Sequence, residues 1–220
     1  MLDPAESHHL LRVTGIAPGE AVVLFDGRGR QARAELVGTR SGRAVLRQLD
    51  EVELVRLPPL VLLVGVGKHP AMDTIVRMAT ELGATTIQPV LVERSVARGD
   101  RGPRWRRIAA GAAAQCGRAD VPDVRPVVGL TRALADLPAD LERRVYTPSA
   151  HRQAPPSTPC ALLLGPEGGL SPGELSEATA AGFVADSLGP TVLRADTAVA
   201  AALARVCRDA GGATRRATQS

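Results

Sequence analysis

The chain has few aromatic residues and few cysteines, and these shortages limit the kind of core and the kind of metal site that it can form. Only 2% of its 220 residues are aromatic, so a core made from the 45% that are hydrophobic has to be aliphatic. The three cysteines, Cys116, Cys160 and Cys207, are far apart and form no Cys-x-x-Cys pair. This spacing argues against a structural zinc site and predicts reduced, buried thiols, so we expect no metal.

Long apolar runs are also missing. No stretch approaches the roughly 20 apolar residues that cross a membrane, and the start "MLDPAESHHL" lacks the basic-then-apolar order of a signal peptide. We therefore expect a cytoplasmic protein with no membrane partner. Charged residues make up 23% of the chain, an ordinary share that predicts a folded protein rather than global disorder.

Lysine is nearly absent, because Lys68 is the only one, and the basic residues behind the formal net charge of +4 are almost all arginine. The arginines are densest in "ERSVARGDRGPRWRR", residues 93–107. Such a cluster is either a solvated loop and helix face or a rim that binds phosphate. Charge alone leaves both interpretations open.

Two sequence patterns are present, and they meet near residue 57. Before it, runs such as "AVVLFDG" and "RQARAELVG" are typical of short strands bounded by turns, which predicts a small β-barrel over 1–57. After the linker "RLPPL", buried strands such as "LVLLVGV" alternate with helices such as "PAMDTIVRMATELG". This order predicts an α/β domain with a mainly parallel sheet over 60–213, followed by a frayed tail over 214–220.

One loop of the second segment, "LLLGPEGGLSPGEL" (residues 162–175), joins a buried strand directly to a helix. Residues 171–174 form a capping box with proline at the first helical position. Gly168 and Gly169 let a ligand approach the main chain closely. Neither Gly-x-Gly-x-x-Gly nor Gly-x-x-x-x-Gly-Lys-Ser/Thr is present, and Glu167 suits a pyrophosphate poorly. The loop favours a neutral or cationic ligand with a purine and a ribose, and the alternative is a tight turn that binds nothing.

A second loop, "SLGPTVLRADTAVAAAL", and a third, "YTPSA", follow two more predicted strands. Each has a proline just beyond the strand end, as the first loop does. Because the ligands of open α/β sheets bind at the carboxyl ends of the strands, we expect the three loops to enclose one small molecule.

These loops together resemble the RsmE family of 16S ribosomal RNA uridine-N3 methyltransferases, which belong to the SPOUT class of enzymes that use S-adenosylmethionine. Further matches occur in order along nearly the whole chain, among them "HHLLRV", "LFDG", "VGKHPAMDTIVRMATELGATTIQPVLVERS" and "AAQCGRADVPDVRP". The resemblance implies a SPOUT-type α/β trefoil knot with an N-terminal PUA-like β-barrel that helps to hold RNA. It also implies a homodimer that pairs through the knot helices.

The same resemblance implies S-adenosylmethionine as cofactor and methyl transfer to N3 of a uridine in 16S ribosomal RNA, either free or within the small ribosomal subunit. The residues that it assigns to the cofactor are Thr147, Pro148, Leu164, Gly165, Pro166, Glu167, Gly168, Gly169, Leu188, Gly189, Pro190 and Leu193. Arg194 is expected to stabilise charge on the uracil oxygens, and its alternative role is a salt bridge to Asp196 or a helix contact. Asp196 and Glu167 are candidates for the general base, but both can instead serve backbone or cofactor amides.

We expect RNA contacts at Arg12, Lys68, Arg94 and Arg118. Lys68 and Arg94 lie just beyond predicted strand ends, where RNA can reach them. Arg118 holds either the RNA or the partner chain.

The sequence departs from the family pattern in three places. "LRADTA" stands where the family has Leu-Arg-Thr-Glu-Thr-Ala, and Ala114 stands where a Glu is common. The chain also starts almost at His8, where the family first has a basic and aromatic segment, so an RNA-contacting strand is either missing or omitted. Two other functions stay open: methylation of another acceptor, such as a tRNA base or a ribose 2′-hydroxyl, and RNA binding without catalysis. The intact glycine loop argues against the last.

Overall fold

The computed structural model describes residues 1–96 and 101–206 and divides the chain into two compact units. The first unit consists of Met1–Arg56 and the short segment Arg118–Asp120. The second begins at Leu57 and contains the rest of the described chain. The predictions on Cys207 and on residues 214–220 lie outside the described residues.

The first unit is built around an antiparallel sheet of four strands. They are β1 (Ala21–Phe25), β2 (Arg30–Arg40), β3 (Arg43–Gln48) and β4 (Glu53–Leu54). β2 is central and pairs with each of the other three. Ser41 and Gly42 have positive φ values of 50° and 75° and make the two-residue turn that joins β2 to β3.

A short helix and a π-helical stretch precede this sheet. The helix α1 (Pro4–His8) begins at Asp3, whose carboxylate accepts a hydrogen bond from the Glu6 amide at 2.9 Å. The π-helical stretch (His9–Thr14) ends at Gly15, which has a φ of 73°. The sequence "ESHHLLRVT" is thus helical, but its second half is wound more loosely.

The second unit alternates strands and helices. Its strands are β5 (Leu60–Gly65), β6 (Thr86–Leu91), β7 (Asp123–Val124), β8 (Val128–Gly129), β9 (Glu142–Tyr146), β10 (Cys160–Leu164) and β11 (Val184–Asp186). Its helices are α2 (His69–Glu81), α3 (Gly102–Cys116), α4 (Leu130–Ala135), α5 (Pro172–Ala180) and α6 (Ala195–Ala204). The strands form one parallel sheet in the order β11-β9-β10-β5-β6-β7, and β8 also pairs with β6.

Both faces of this sheet are covered, which explains why its central strands are continuously apolar. Every residue of β5 and of β10 is buried. On one face, strand residues pack with α2, α3 and α6, and Trp105 of α3 is buried among them. On the other face, Leu63 and its neighbours pack with α4 and α5. Each fully buried aliphatic side chain contributes about 1.5–3 kcal/mol, so these two clusters stabilise the unit.

The ends of four strands are in register at one edge of the sheet. Leu164 at the end of β10 is paired with Val64 of β5 and with Tyr146 of β9. Tyr146 is in turn paired with Asp186 of β11. Because these strands are parallel, the three loops singled out in the sequence leave the sheet at the same edge.

After β11 the chain turns back across the sheet. β11 is the edge strand beyond β9, yet α6 packs against α2 and β10. The loop between β9 and β10 is tied to this returning chain, because the Gln153 amide donates to Asp186 at 2.9 Å and Arg205 donates to the Gln153 carbonyl at 2.8 Å. Such a return past an earlier loop is the arrangement that a trefoil knot requires.

The structure differs from the sequence predictions in local detail. The pattern "DTAVAAALARVCRDAGG" predicts a longer last helix, but α6 ends at Ala204 with Arg205 as its C-cap, and Arg205 turns to bind the neighbouring loops. Buried thiols are predicted, but of the two cysteines that the structure describes, Cys160 is buried and Cys116 is exposed in the last turn of α3. The elements α4, β7 and β8 are too short to produce a recognisable periodicity.

Two kinds of feature are missing from the described chain. No described helix combines the length and the apolar character needed to cross a membrane. Within residues 1–96 and 101–206, no three His, Cys, Asp or Glu side chains gather into a group that could hold a metal ion.

Candidate functional site

A cavity of about 310 Å³ lies at the carboxyl edge of the parallel sheet. The loops after β9, β10 and β11 form its walls, and Arg94 from the loop after β6 reaches it as well. Its volume falls within the range of pockets that take small molecules. Apolar side chains such as Leu188 and Leu193 line it beside main-chain polar groups, a mixture that is typical of ligand sites.

Eleven of the twelve predicted cofactor residues line this cavity. They are Thr147, Pro148, Leu164, Gly165, Pro166, Glu167, Gly168, Gly169, Leu188, Gly189 and Leu193. Pro190 is the exception, since it is not part of the lining. The fold thus brings three separate stretches of sequence around one space, and their role in cofactor binding stays a prediction.

Glycine is required at two positions of the loop after β10. A Cβ at Gly165 would lie 2.7 Å from the main-chain carbon of Gly169, closer than side-chain carbons are found. Gly169 has a φ of 72°, in the left-handed region that favours glycine. Its amide donates to the Pro166 carbonyl at 2.8 Å and closes the turn. The loop therefore folds tightly onto itself and leaves main chain at the cavity wall.

The Glu167 carboxylate turns toward the start of α2. A Cβ at Gly67 would lie 3.0 Å from its carboxylate carbon, so the carboxylate rests against that glycine. Glu167 also accepts a hydrogen bond from the amide of Lys68, the N-cap of α2, at 3.4 Å. A negative charge is favourable at this end of a helix. Of the two roles considered for Glu167, these contacts favour the service of backbone amides over that of general base.

Arg94 covers the same loop from the other side. Its Nη1 donates to the Gly168 carbonyl at 2.6 Å, and a Cβ at Gly168 would lie 3.1 Å from the Arg94 Cβ. The Glu174 carboxylate fixes the segment before it, since it accepts from the amides of Ser171 at 2.8 Å and of Glu93 at 2.6 Å. One carboxylate therefore caps α5 and also holds the arginine at the cavity.

The loop after β11 is shaped by its own hydrogen bonds. Ser187 Oγ donates to the Gly189 carbonyl at 3.1 Å and accepts from the Gly189 amide at 3.3 Å. The Ser187 amide donates to the Asp186 carboxylate at 2.7 Å. Asp186 is completely buried and forms an ion pair with Arg205 at 3.3 Å. The wall that contains Leu188 therefore starts from a buried charged group.

Tyr146, the last residue of β9, also lines the cavity. It is 8% exposed, and its hydroxyl is buried without a hydrogen-bond partner in the described part of the chain. Burial, together with the negative charge of Asp186, raises the pKa of Tyr146 from 10.0 to about 12. The phenol therefore stays neutral at physiological pH.

The two predicted catalytic residues flank the cavity rather than line it. Arg194 is the N-cap of α6 and lies between Leu193 and Ala195, which do line it. Its side chain is exposed and makes no ion pair among the described residues, so the alternative salt bridge to Asp196 is not formed. Asp196 accepts a hydrogen bond from the Thr197 amide at 2.8 Å. The guanidinium is thus exposed to solvent, whereas the carboxylate stabilises the start of α6.

The predicted RNA-binding residues have different surroundings. Arg12 and Lys68 are exposed, and Arg94 is exposed above the cavity loop. Arg118 donates to both oxygens of Asp120, at 2.7 and 3.1 Å, and only 9% of its side chain is exposed. This pairing favours a structural role for Arg118 within its own segment.

The predicted cofactor residues leave out part of the lining. The additional lining residues are Arg94, Tyr146, Leu170, Leu175, Ser187, Thr191, Val192, Ala195 and Ala198. Most of them lie within or next to the three loops, so a wider choice along each loop would have included them. Leu175 and Ala198 come four residues after the N-caps of α5 and α6, where helical spacing returns a side chain to the face of the cap.

Comparison with known proteins agrees with this geometry. The sequence profile of the RNA methyltransferase domain matches residues 55–207, and that of the RNA methyltransferase PUA domain matches residues 2–48. The chain is 34% identical to ribosomal RNA small subunit methyltransferase E of Mycobacterium tuberculosis, over 94% of this chain and 85% of that protein. This chain belongs to the ribosomal RNA small subunit methyltransferase E family. The family member from Synechocystis is also 34% identical, over 93% of this chain and 71% of its own length.

Solved structures of the methyltransferase E family and its neighbours share the fold. Ribosomal RNA small subunit methyltransferase E of Neisseria gonorrhoeae, bound to S-adenosyl methionine, superposes with a TM-score of 0.79 at 32% identity, over 91% of this chain and 88% of that one. A putative methyltransferase of Legionella pneumophila, also in complex with this cofactor, superposes with a TM-score of 0.76 at 28% identity, over 92% of this chain and 88% of that one. The predicted family, the SPOUT-type knot fold and the PUA-like N-terminal domain are confirmed, and the chain is an RNA methyltransferase.

Proposed function

We propose that this chain methylates N3 of a uridine in 16S ribosomal RNA, with S-adenosylmethionine as the methyl donor. The observation that supports this most is the convergence of three loops on one cavity in a chain of this family. The relatives are named for the RNA of the small ribosomal subunit, and two solved neighbours hold S-adenosylmethionine. A ribosomal RNA substrate also implies that the enzyme works in the cytoplasm.

The cavity suits S-adenosylmethionine in shape and chemistry. Leu164, Leu188 and Leu193 offer an apolar surface for the adenine ring, while the main chain of the loops offers polar groups for the base edge and the ribose. A Cβ at Gly165 would clash with the main chain of Gly169 and would force this cradle open. The residues present therefore fit the cofactor that the family implies.

When bound, S-adenosylmethionine supplies a methyl group activated by a sulfonium. The chain has to hold the acceptor base in line with that methyl group and about 3 Å from it, and such positioning accounts for a large part of the rate enhancement. Arg194, exposed and next to the lining, stabilises the negative charge that develops on the uracil oxygens as N3 loses its proton. Overall, one methyl group replaces one proton at N3.

We propose that the N3 proton leaves to water rather than to a carboxylate. Glu167 is engaged with the Lys68 amide, and Asp196 is engaged with the Thr197 amide. Each carboxylate therefore already stabilises the start of a helix, where protonation would remove a favourable charge.

We also propose that RNA approaches over Lys68, Arg94 and Arg194. All three side chains are exposed, and each lies in or beside a loop that forms or braces the cavity. Arginine and lysine at such positions bind RNA phosphates and bring the target base to the cofactor.

A homodimer is a further part of the proposal, and α6 is its candidate interface. Val199, Ala202 and Leu203 are buried in the core, while Thr197 and Ala204 are exposed on another face. A helix that is apolar nearly all round is usually covered on more than one side. Sedimentation should give twice the mass of the chain, and Ala204→Glu should give a folded monomer; a monomeric parent chain would remove the dimer from the proposal.

Methylation of defined RNA substrates tests the proposed function. Purified protein and labelled S-adenosylmethionine are incubated with 16S RNA, with the small ribosomal subunit and with tRNA, and the product nucleoside is identified by mass spectrometry. We expect 3-methyluridine from the ribosomal substrates alone. A methylated ribose or a tRNA product would show another acceptor, and cofactor binding without any product would favour an RNA-binding role.

A further inference from the structure

A buried charged group of the second unit adjoins the cavity lining, because Asp186 precedes Ser187 and is paired in register with Tyr146. Asp186, the last residue of β11, is completely buried, and the Arg205 side chain is 13% exposed. Their Nη1 and Oδ2 atoms are 3.3 Å apart. Neither side chain lines the cavity.

The pair connects two of the three cavity walls. Arg205 donates to the carbonyl of Ser187 at 3.0 Å and to that of Gln153 at 2.8 Å. Asp186 accepts from the amides of the same two residues, at 2.7 and 2.9 Å. Ser187 begins the wall after β11, and Gln153 belongs to the loop after β9 that contributes Thr147. One ion pair therefore holds both loops by both their amide and their carbonyl groups.

The surroundings of the pair indicate that it contributes little to overall stability. In the described part of the chain, four buried side-chain atoms have no hydrogen-bond partner: Arg144 Nε, Tyr146 OH, Asp186 Oδ2 and Arg205 Nε. Arg144 and Tyr146 belong to β9, Asp186 ends β11, and Arg205 is the C-cap of α6. A buried ion pair with unsatisfied atoms is often no more stabilising than apolar side chains of the same volume. A role in fixing one loop geometry explains its presence better.

We propose that Arg205, through Asp186, is a positioning residue that holds the loops after β9 and β11 in the shape that binds the cofactor. This rests on the proposed function, in which that cofactor is S-adenosylmethionine. Arg205 itself touches neither cofactor nor RNA. Without it, the Ser187 and Gln153 carbonyls lose their common donor, and the two walls can separate.

The test compares two arginines of the same unit. Arg205→Gln removes the link between the walls. Arg143→Gln is the matched control, because Arg143 of β9 also donates to two main-chain carbonyls, of Ala181 and Pro138, but does not line the cavity. Binding of S-adenosylmethionine is measured by calorimetry well below the unfolding temperature of each variant. If the competent loop shape falls to one molecule in ten, the dissociation constant rises about tenfold.

We expect that rise in Arg205→Gln, partial recovery in Arg205→Lys, and no change in Arg143→Gln. Hydrogen exchange of the uncomplexed protein should show faster exchange at the Ser187 and Gly189 amides in Arg205→Gln alone. Equal affinities in the parent chain and Arg205→Gln, or an equal loss in the control, would overturn the proposal. If Arg205→Gln does not fold, Asp186→Asn/Arg205→Gln, which leaves no buried charge, is judged by the same criteria. A parent chain that does not bind S-adenosylmethionine contradicts the proposed function instead.

Discussion

At the scale of single residues, the cavity depends on positions where any added atom meets the main chain. Gly165 is the strictest of these, because its neighbour across the turn is the backbone of Gly169 rather than a flexible side chain. Gly168 is more tolerant, since an added carbon there meets the Arg94 side chain. Substitution should therefore be tolerated less at Gly165, where the added carbon meets main chain, than at Gly168, where it meets a side chain.

We expect Gly165→Ala to weaken binding of S-adenosylmethionine about tenfold or more, because the turn has to open to admit the methyl group. Gly173→Ala is the control. Gly173 lies in the first turn of α5 with open space around it, so alanine there should stabilise the fold by about 0.5–1 kcal/mol and leave the affinity unchanged. Calorimetry and denaturant unfolding of both variants check this, and a Gly165→Ala protein with the parent affinity would contradict it.

Tyr146 allows a direct spectroscopic prediction, because it is the only tyrosine in the chain. Its pKa is raised from 10.0 to about 12 by burial and by Asp186. The unfolded state therefore loses the phenol proton at lower pH than the folded state, so the free energy of unfolding should fall as the pH rises from 10 to 12. Phenolate absorbance should titrate near pH 12 in the folded protein, and titration near pH 10 while the protein is folded would contradict the buried environment.

At the scale of elements, the helix α5 does more than cover the sheet. Its capping carboxylate, Glu174, accepts hydrogen bonds from both Ser171 and Glu93, so the start of α5 and the Arg94 segment share one acceptor. Within the described chain the Ser171 hydroxyl contacts the helix alone, where it accepts from the Glu174 amide. Substitutions at Ser171 and at Glu174 should therefore lower the free energy of unfolding by different amounts.

Ser171→Ala should lower the free energy of unfolding by about 1 kcal/mol, the usual cost of losing an N-cap. Glu174→Ala should cost more, because the Glu93 amide also loses its acceptor. It should also weaken RNA binding, since the Arg94 segment is no longer held. Urea unfolding and RNA filter binding measure the two effects, and equal behaviour of the variants would show that the Glu93 contact contributes nothing.

Most elements could be predicted from the sequence because their signals are local. The helices α2, α3 and α5, each with proline in the first turn, and the buried strands β5 and β10 are all visible in a short window. The three loops were recognisable because each has a proline just beyond a strand end, and two of them also have glycine there. Arg205 and Tyr146 were not, since nothing near them in sequence shows that they meet Asp186. Periodicity also indicates which face of an element is buried but not how elements are connected, so the knot followed only from the family resemblance.

At the scale of the whole molecule, cofactor and fold are linked energetically. The cavity exists only in the folded second unit, because its walls come from segments that the sheet and α6 bring together. S-adenosylmethionine at 100 times its dissociation constant should therefore raise the free energy of unfolding by about 2.7 kcal/mol. Thermal unfolding across a cofactor series measures this, with the demethylated product as a second ligand; a melting temperature independent of both would contradict the site.

The return of α6 past the loop between β9 and β10 also fixes the order in which this enzyme is completed during synthesis. Ala195 and Ala198 of that helix belong to the cavity lining, and Arg205 at its end fastens the earlier loops. A ribosome that has translated 190 codons has made both glycine–proline turns and the proline-containing loop after β9, but no finished pocket. A chain that stops before α6 therefore lacks part of the cavity lining, and we expect the pocket to be completed only when this helix is in place.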